Sequence, residues 1–396
     1  VSEQQLRVMV VSDEGLSTGG IGTATLNHVR ALAGLGHEVA LVWSGPRVNL
    51  PGVLEVIVPS KRFDVGKHGF LVLALPPKLE GTAMQGWRAD IVHIMRPTLL
   101  GAWAYWQARK WRAGVVLAMH EIVDQLSPTT TAGKVLQGLA RWWFRVSYNR
   151  ADLAVAPAHF VVQHVKTGLK LNKPVSYLSN ALDLEEWRAL AATSGAASPR
   201  GERFVCAVIN LSPYKNPLFM VDLWRELVQR GIGVKLKIAG GGVLFDELQA
   251  RIAQIGMGDH IELLGKLPRE QVAGLIASSE ALLMTSWFEL QPMVIIEAKA
   301  LGKPALVMQA PLSGAVTLVG DGETGVLFPP DAVAAADKLS PWLEDPNALR
   351  SLERACRLDA ERYDLEAVGR AAVLLYRNAS PHRAVRTEGT PRTNLD

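Results

Sequence analysis

The 396-residue chain contains only two cysteines, Cys206 and Cys356. Neither has a partner at metal-ligand spacing, and two do not make a disulfide framework. Both are therefore expected as small core residues in a protein of the reducing cytoplasm. No run of 18 or more apolar residues occurs, so no membrane-spanning helix is expected and any membrane contact is peripheral. The opening residues Val1 to Gln5 are short and polar and do not read as a signal peptide. There is no Asp-x-Asp pair, and no metal site is expected. Cys/His finger spacing and RNA-type aromatic motifs are absent too. A net charge of +4 is mild for this length, so nucleic acid is not an expected partner.

The chain does have enough apolar residues for two cores. Hydrophobic residues make up 48% and charged residues 20%, a globular balance, and the length suggests two domains. Short apolar runs alternate with helical patterns. Leu6 to Val11 reads as a strand, Thr23 to Leu35 as a helix and His37 to Val42 as a strand. Further strands are predicted at 91–94, 115–119, 153–156 and 175–178. The stretch Ser194 to Glu202, "SGAASPRGE", is the best linker. After it the pattern restarts, with strands at 204–209, 234–239, 261–264, 281–284 and 305–308. Such alternation predicts α/β architecture with parallel, doubly wound sheets. Two Rossmann-like domains are expected to face each other, over 1–195 and 203–362. A C-terminal helix over 363–380 should pack back toward the first domain, and 381–396 reads as a solvated tail.

Ligands of open α/β sheets bind beyond the carboxyl ends of the strands, and several features fall there. Gly19-Gly20-Ile21-Gly22 lies ahead of the first helix, whose N-terminus favours anions. A nicotinamide site fits poorly. The third fingerprint position is Thr25, and the second strand ends Leu41-Val42-Trp43-Ser44 with no ribose-binding acid. His120 ends an apolar strand. Lys215, in "INLSPYKNP", sits where a cation could neutralise a phosphate or simply be solvated. In "SWFELQPMVIIEA", Pro292 is a plausible first helical residue, with Glu289 in the loop before it and Glu297 in the second turn. Acids near a helix start suit its dipole, but Ile295 and Ile296 beside Glu297 argue against a plain solvated face. Free N–H groups at the helix start and two hydroxyl-accepting carboxylates describe a nucleotide-sugar site.

These residues stand in an order that resembles the retaining GT-B glycosyltransferases of family 4, also called glycosyl transferases group 1. That family carries two glutamates with seven residues between them, as Glu289 and Glu297 are here (297 − 289 = 8). "GGIGTATLNHVRALAGLGHEVALV", "DIVHIM", "LAMHEIVD", "LSNALDLEEW", "LSPYKNP", "LKIAGGG", "IELLGKLP" and "DGETGVLFP" follow in family order over most of the chain. The resemblance implies transfer of a hexose-type sugar from a UDP-, GDP- or similar nucleotide sugar, with no further cofactor and no metal. It implies that Gly19 and Gly20 lie beside the donor pyrophosphate, that His120 sits near the transferred sugar and that Lys215 neutralises the diphosphate. Glu289 would hold sugar hydroxyls and Glu297 the ribose. The backbone of Leu290, Gln291, Pro292, Met293 and Val294 would support sugar and phosphate. Gly240, Gly241, Leu264 and Lys266 would border the base. Two positions depart from the pattern: Asn210 stands where the family has Arg, and Leu290 where it has Gly. Lys266 is a candidate to replace the missing cation. The other classes compatible with such a fold are a nucleotide-sugar epimerase and an inactive binding subunit.

The acceptor is expected on the first domain and could be a sugar, a lipid-linked glycan or a small molecule. Residues 101–150 hold Trp103, Trp106, Trp111, Trp142 and Trp143, with seven Arg or Lys against two acids. Such a mixture suits an anionic membrane surface, which would place the protein in the cytoplasm and peripherally on the inner face of the membrane. The alternative is that these Trp fill the core.

Overall fold

The computed structural model describes residues 5–14, 20–65, 69–120, 131–162, 169–194 and 202–379. The first lobe is built on strands β1 (Arg7–Ser12), β2 (Glu38–Trp43) and β3 (Val53–Ile57). A hairpin of β4 (Ser60–Val65) and β5 (Gly69–Ala74) follows, then β6 (Ile91–Ile94), β7 (Gly114–Ala118), β8 (Leu153–Ala156) and β9 (Val175–Tyr177). Apart from the hairpin they form one parallel sheet in the order β3-β2-β1-β6-β7-β8-β9.

The second lobe contains β10 (Phe204–Val208), β11 (Lys235–Ala239), β12 (Ile261–Gly265), β13 (Leu282–Met284), β14 (Phe288–Glu289), β15 (Ala305–Met308), β16 (Leu312–Ser313) and β17 (Gly325–Phe328). Its main sheet is parallel, in the order β12-β11-β10-β13-β15-β17, and β14 pairs with β16 beside it. Both lobes are Rossmann-like.

The strands are apolar throughout because both faces of each sheet are covered. In β1, Met9 and Val11 point into one core and Val8 and Val10 into the other. In β10, Val205 and Ala207 face one core, Phe204 and Cys206 the opposite one. Both cysteines are buried, and burial pushes the Cys206 thiol up to about 12 and that of Cys356 to about 11.

Sequence and structure differ at some element ends. The first helix begins at Gly20 and ends at Gly34, three residues ahead of the expected start. Glycine propensity argued for a loop there. Instead Gly22 is buried, and the Thr25 hydroxyl donates to the Ile21 carbonyl at 2.8 Å, drawing the segment into the helix. The expected linker lies largely outside the described residues, as do the tail and Gly19.

Among the described residues, two crossings join the lobes. Helix Leu184–Thr193 is capped by Asp183, which accepts from the Glu186 amide at 2.9 Å, and it buries Leu184 and Trp187 in the core of the second lobe. The last helix, Leu365–Ala379, returns to the first lobe and buries Val368, Ala372, Val373 and Tyr376 there. Where the crossings meet, the Leu182 amide donates to the Tyr363 carbonyl at 2.8 Å.

Candidate active site

A doubly wound sheet binds its ligand where successive connections leave to opposite sides. In the second lobe that point lies between β10 and β13, which are neighbours in the sheet. Lys215 and Glu289 lie beyond the ends of these strands. Lys215 ends a short 3-10 turn, Pro213–Lys215, and Asn216, with φ 56°, opens helix Pro217–Gln229. Glu289 ends β14; it is not in a free loop as the sequence suggests. The β14–β16 pairing fixes it, and the Gly314 amide donates to its carbonyl at 2.8 Å. Only glycine fits at 314, because a Cβ there would lie 1.8 Å from the Leu290 carbonyl oxygen.

The Lys215 ammonium donates directly to the Glu289 carboxylate. Their side chains are only 17% and 10% exposed, so each group depends on the other: removing either would leave an uncompensated buried charge.

The following helix spans Met293–Ala300, with Pro292 as its N-cap rather than its first residue. Pro292 makes no side-chain cap; the Ile295 amide turns back to the Pro292 carbonyl at 3.1 Å, which leaves the Met293 and Val294 amides for a ligand. Glu297 lies in its second turn. Burial pushes this carboxyl up to about 7, against the opposing charge of Arg269. The Glu297 carbonyl accepts from the Trp187 indole at 3.0 Å, tying the helix to the crossover.

Gln291 and Leu290 serve the seam between the lobes. Gln291 accepts from the Asn180 amide and donates to the Ser179 hydroxyl, both at 2.7 Å. Leu290 and Phe288 pack against the core of the first lobe, and Phe288 meets Phe160 edge-on at 6.4 Å. The departure from Gly at 290 therefore has a packing role.

Asn210 is exposed and borders the glycine loop: its Oδ1 would lie 2.6 Å from a Cβ on Gly242. The chain of Lys266 runs over Gly241, with its Cε 3.0 Å from where a Cβ would be. Gly240 packs against the Ile209 backbone, and Leu264 lies partly buried on β12. Asn210, Gly240, Gly241 and Lys266 are thus gathered along one edge.

In the first lobe the switch point lies between β1 and β6. Gly20 starts its helix there, exposed. His120 lies just beyond β7, half-buried, and burial with the Arg96 charge lowers it to about 4, so it is neutral at physiological pH. Sequence reading passed over Asp13, Glu14 and Arg96 beside it. The Arg96 guanidinium meets Glu14 at 2.7 Å and Asp13 at 3.5 Å, and both acids are buried. Each looks ordinary in sequence; strand order joins them.

The family models for Glycosyltransferase Family 4 and for Glycosyl transferases group 1 match residues 18–186 and 194–359, one on each lobe. The chain belongs to the GT-B glycosyltransferases of family 4. The glycosyltransferase is 24% identical over 366 residues to the N-acetyl-alpha-D-glucosaminyl L-malate synthase of Bacillus anthracis, covering 89% of this chain and 92% of that one. It is 26% identical over 351 residues to a GDP-mannose-dependent alpha-mannosyltransferase of Mycobacterium tuberculosis, covering 83% and 87%. Among solved structures, sucrose-phosphate synthase from Thermosynechococcus elongatus superposes with a TM-score of 0.69 at 19% identity, covering 94% of this chain and 98% of that one. Anabaena HepE in complex with UDP and glucose gives 0.66 at 17%, covering 94% and 99%. At such identities the structures speak for the fold.

Proposed function

We propose that this enzyme is a retaining, metal-independent hexosyltransferase that uses a nucleoside-diphosphate sugar and an acceptor hydroxyl. The observation that carries the reading is the Lys215–Glu289 contact at the switch point of the second lobe, beside an uncapped helix start. A cation and free N–H groups suit the negative charge that grows on a departing diphosphate. Glu289 orients Lys215 and takes hydroxyls of the transferred sugar; Glu297 takes the ribose. Gly20 borders the pyrophosphate, and His120, neutral, faces the sugar from the first lobe. The anomeric carbon–oxygen bond breaks as the acceptor oxygen bonds on the same face, and the acceptor proton passes to the leaving phosphate oxygen. HepE was solved with UDP-glucose, which makes a UDP-sugar the first donor to try.

The acceptor is proposed to be lipid-linked or otherwise held at an anionic membrane surface. Among the described residues no helix is long and apolar enough to cross a membrane. Helix Thr131–Arg150, however, exposes Val135, Leu139, Trp142 and Trp143 at helical spacing, with Arg141 and Arg145 exposed among them. Trp106 is exposed nearby, with the Lys110 ammonium 3.3 Å above its ring. Trp103 and Trp111 instead pack partly buried against the core of the first lobe.

A screen of UDP- and GDP-sugars in EDTA, with product NMR, tests the reading. Transfer or slow hydrolysis with the α-anomer kept is expected. Inversion at the anomeric carbon, epimerisation at C2, a strict metal requirement or no turnover with any donor would each overturn it.

A further inference from the structure

Tyr376 reaches from the last helix into the first lobe, where its hydroxyl lies 2.5 Å from His28 Nε2 and 2.5 Å from His93 Nδ1. All three residues are buried. A phenol carries one proton, so it can donate to only one of these nitrogens and must accept from the other. The two imidazoles are therefore locked in complementary tautomers: one is protonated toward Tyr376, the other bare. Burial lowers His28 to about 4 and holds His93 well below its ordinary value, so both stay neutral and the choice concerns tautomer, not charge.

The other nitrogen of His93, Nε2, is buried and has no hydrogen-bond partner among the described residues. An unmet buried polar atom calls for an explanation. His93 borders a cavity of about 20 Å³, lined also by His28, His120, Ser179 and Asn180. That is room for a single water, and the lining offers the several polar partners an interior water needs.

We propose that His93 is a positioning residue of the active site, its Nε2 holding one water that orients His120, with Tyr376 coupling the tautomer of His93 to that of His28. The last helix thereby completes the reactive face of the first lobe. This deepens the role given above to His120 and rests on it.

Ring-nitrogen NMR of the full chain labelled in histidine, with kinetics on the donor found in the screen, tests the idea. In the parent, His28 Nε2 and His93 Nδ1 should show opposite protonation. Tyr376→Phe should erase that complementarity and shift the ring signals of His120. His93→Asn keeps an amide near the Nδ1 position but loses Nε2; it too should shift the His120 signals, and it serves if Tyr376→Phe folds poorly. Each variant should lower kcat about tenfold, the size of one lost neutral hydrogen bond, with the donor KM unchanged. Unmoved His120 signals in both variants would overturn the coupling. Shifted signals with unchanged kcat would overturn its consequence for turnover, and the fault would then lie with the role given to His120.

Discussion

Replacing Glu297 by glutamine should stabilise the protein, by an amount that grows from about pH 4.5 and is full only above about pH 7. Burial raises this carboxyl from its ordinary 4.5 to about 7. At pH well below 4.5 the group is protonated in both folded and unfolded chains and has no effect on stability. Between 4.5 and 7 the unfolded chain ionises while the folded chain keeps its proton, so stability falls as pH rises. Above 7 the loss is complete, at about 3 kcal/mol, and smaller to the extent that solvent reaches the half-buried group. An amide of the same shape never ionises and escapes this loss. Glu297→Gln should therefore gain up to about 3 kcal/mol at pH 8 and less than about 1 kcal/mol at pH 5. The Tm at pH 8 should rise by roughly 5 °C. Urea titrations of both proteins at the two pH values measure the difference. An equal gain at pH 5 and pH 8, or a loss at pH 8, would refute the claim that the carboxyl is held against its ionisation. A residue kept at such a disadvantage suggests a function, and the same variant should bind nucleoside diphosphate sugar more weakly.

Lys215→Ala should reduce turnover to near background, because it removes the cation at the switch point and leaves Glu289 a buried, unpaired carboxylate; steady-state rates with a Tm control check this. Asn210→Arg should bind nucleoside diphosphate more tightly by calorimetry, since a charge-assisted bond is about twice as strong as a neutral one; equal affinity would mean that position 210 does not face the diphosphate. Glu289→Ala should lower kcat more than it raises KM, because sugar contacts strengthen as charge develops; a rise in KM alone would argue against the role. Arg141→Ala with Arg145→Ala and Trp142→Ala should abolish salt-dependent flotation on anionic liposomes, and unchanged flotation would remove the helix from the membrane surface.

Much of the architecture is written in local sequence. Strand cores such as Ile91–Ile94, Leu153–Ala156 and Ala305–Met308 fall where apolar runs place them, because a strand covered on both faces needs no polar face and stands out as a continuous run. The two-lobed α/β plan follows from the repeat of that pattern on either side of a polar stretch. The glutamate spacing and Lys215 are also legible, since a strand-turn-helix unit keeps its functional groups within a few residues of the turn. What sequence could not decide is which turns meet. The Lys215–Glu289 contact joins residues 74 apart in the chain, because β10 and β13 are neighbours in the sheet although two strands separate them in sequence. Nor could it show that Gln291 and Leu290 lie at the seam between the lobes, or that Arg96 meets Asp13 and Glu14. Tyr376 is the extreme case. In sequence it is one apolar position on an amphipathic C-terminal helix; only the return of that helix to the first lobe brings its hydroxyl to His28 and His93, 348 and 283 residues away. Local propensity and periodicity are short-range and survive in sequence. Desolvation, tautomer choice and ion pairing depend on what the fold places alongside, and those neighbours are set by sheet order and lobe contacts.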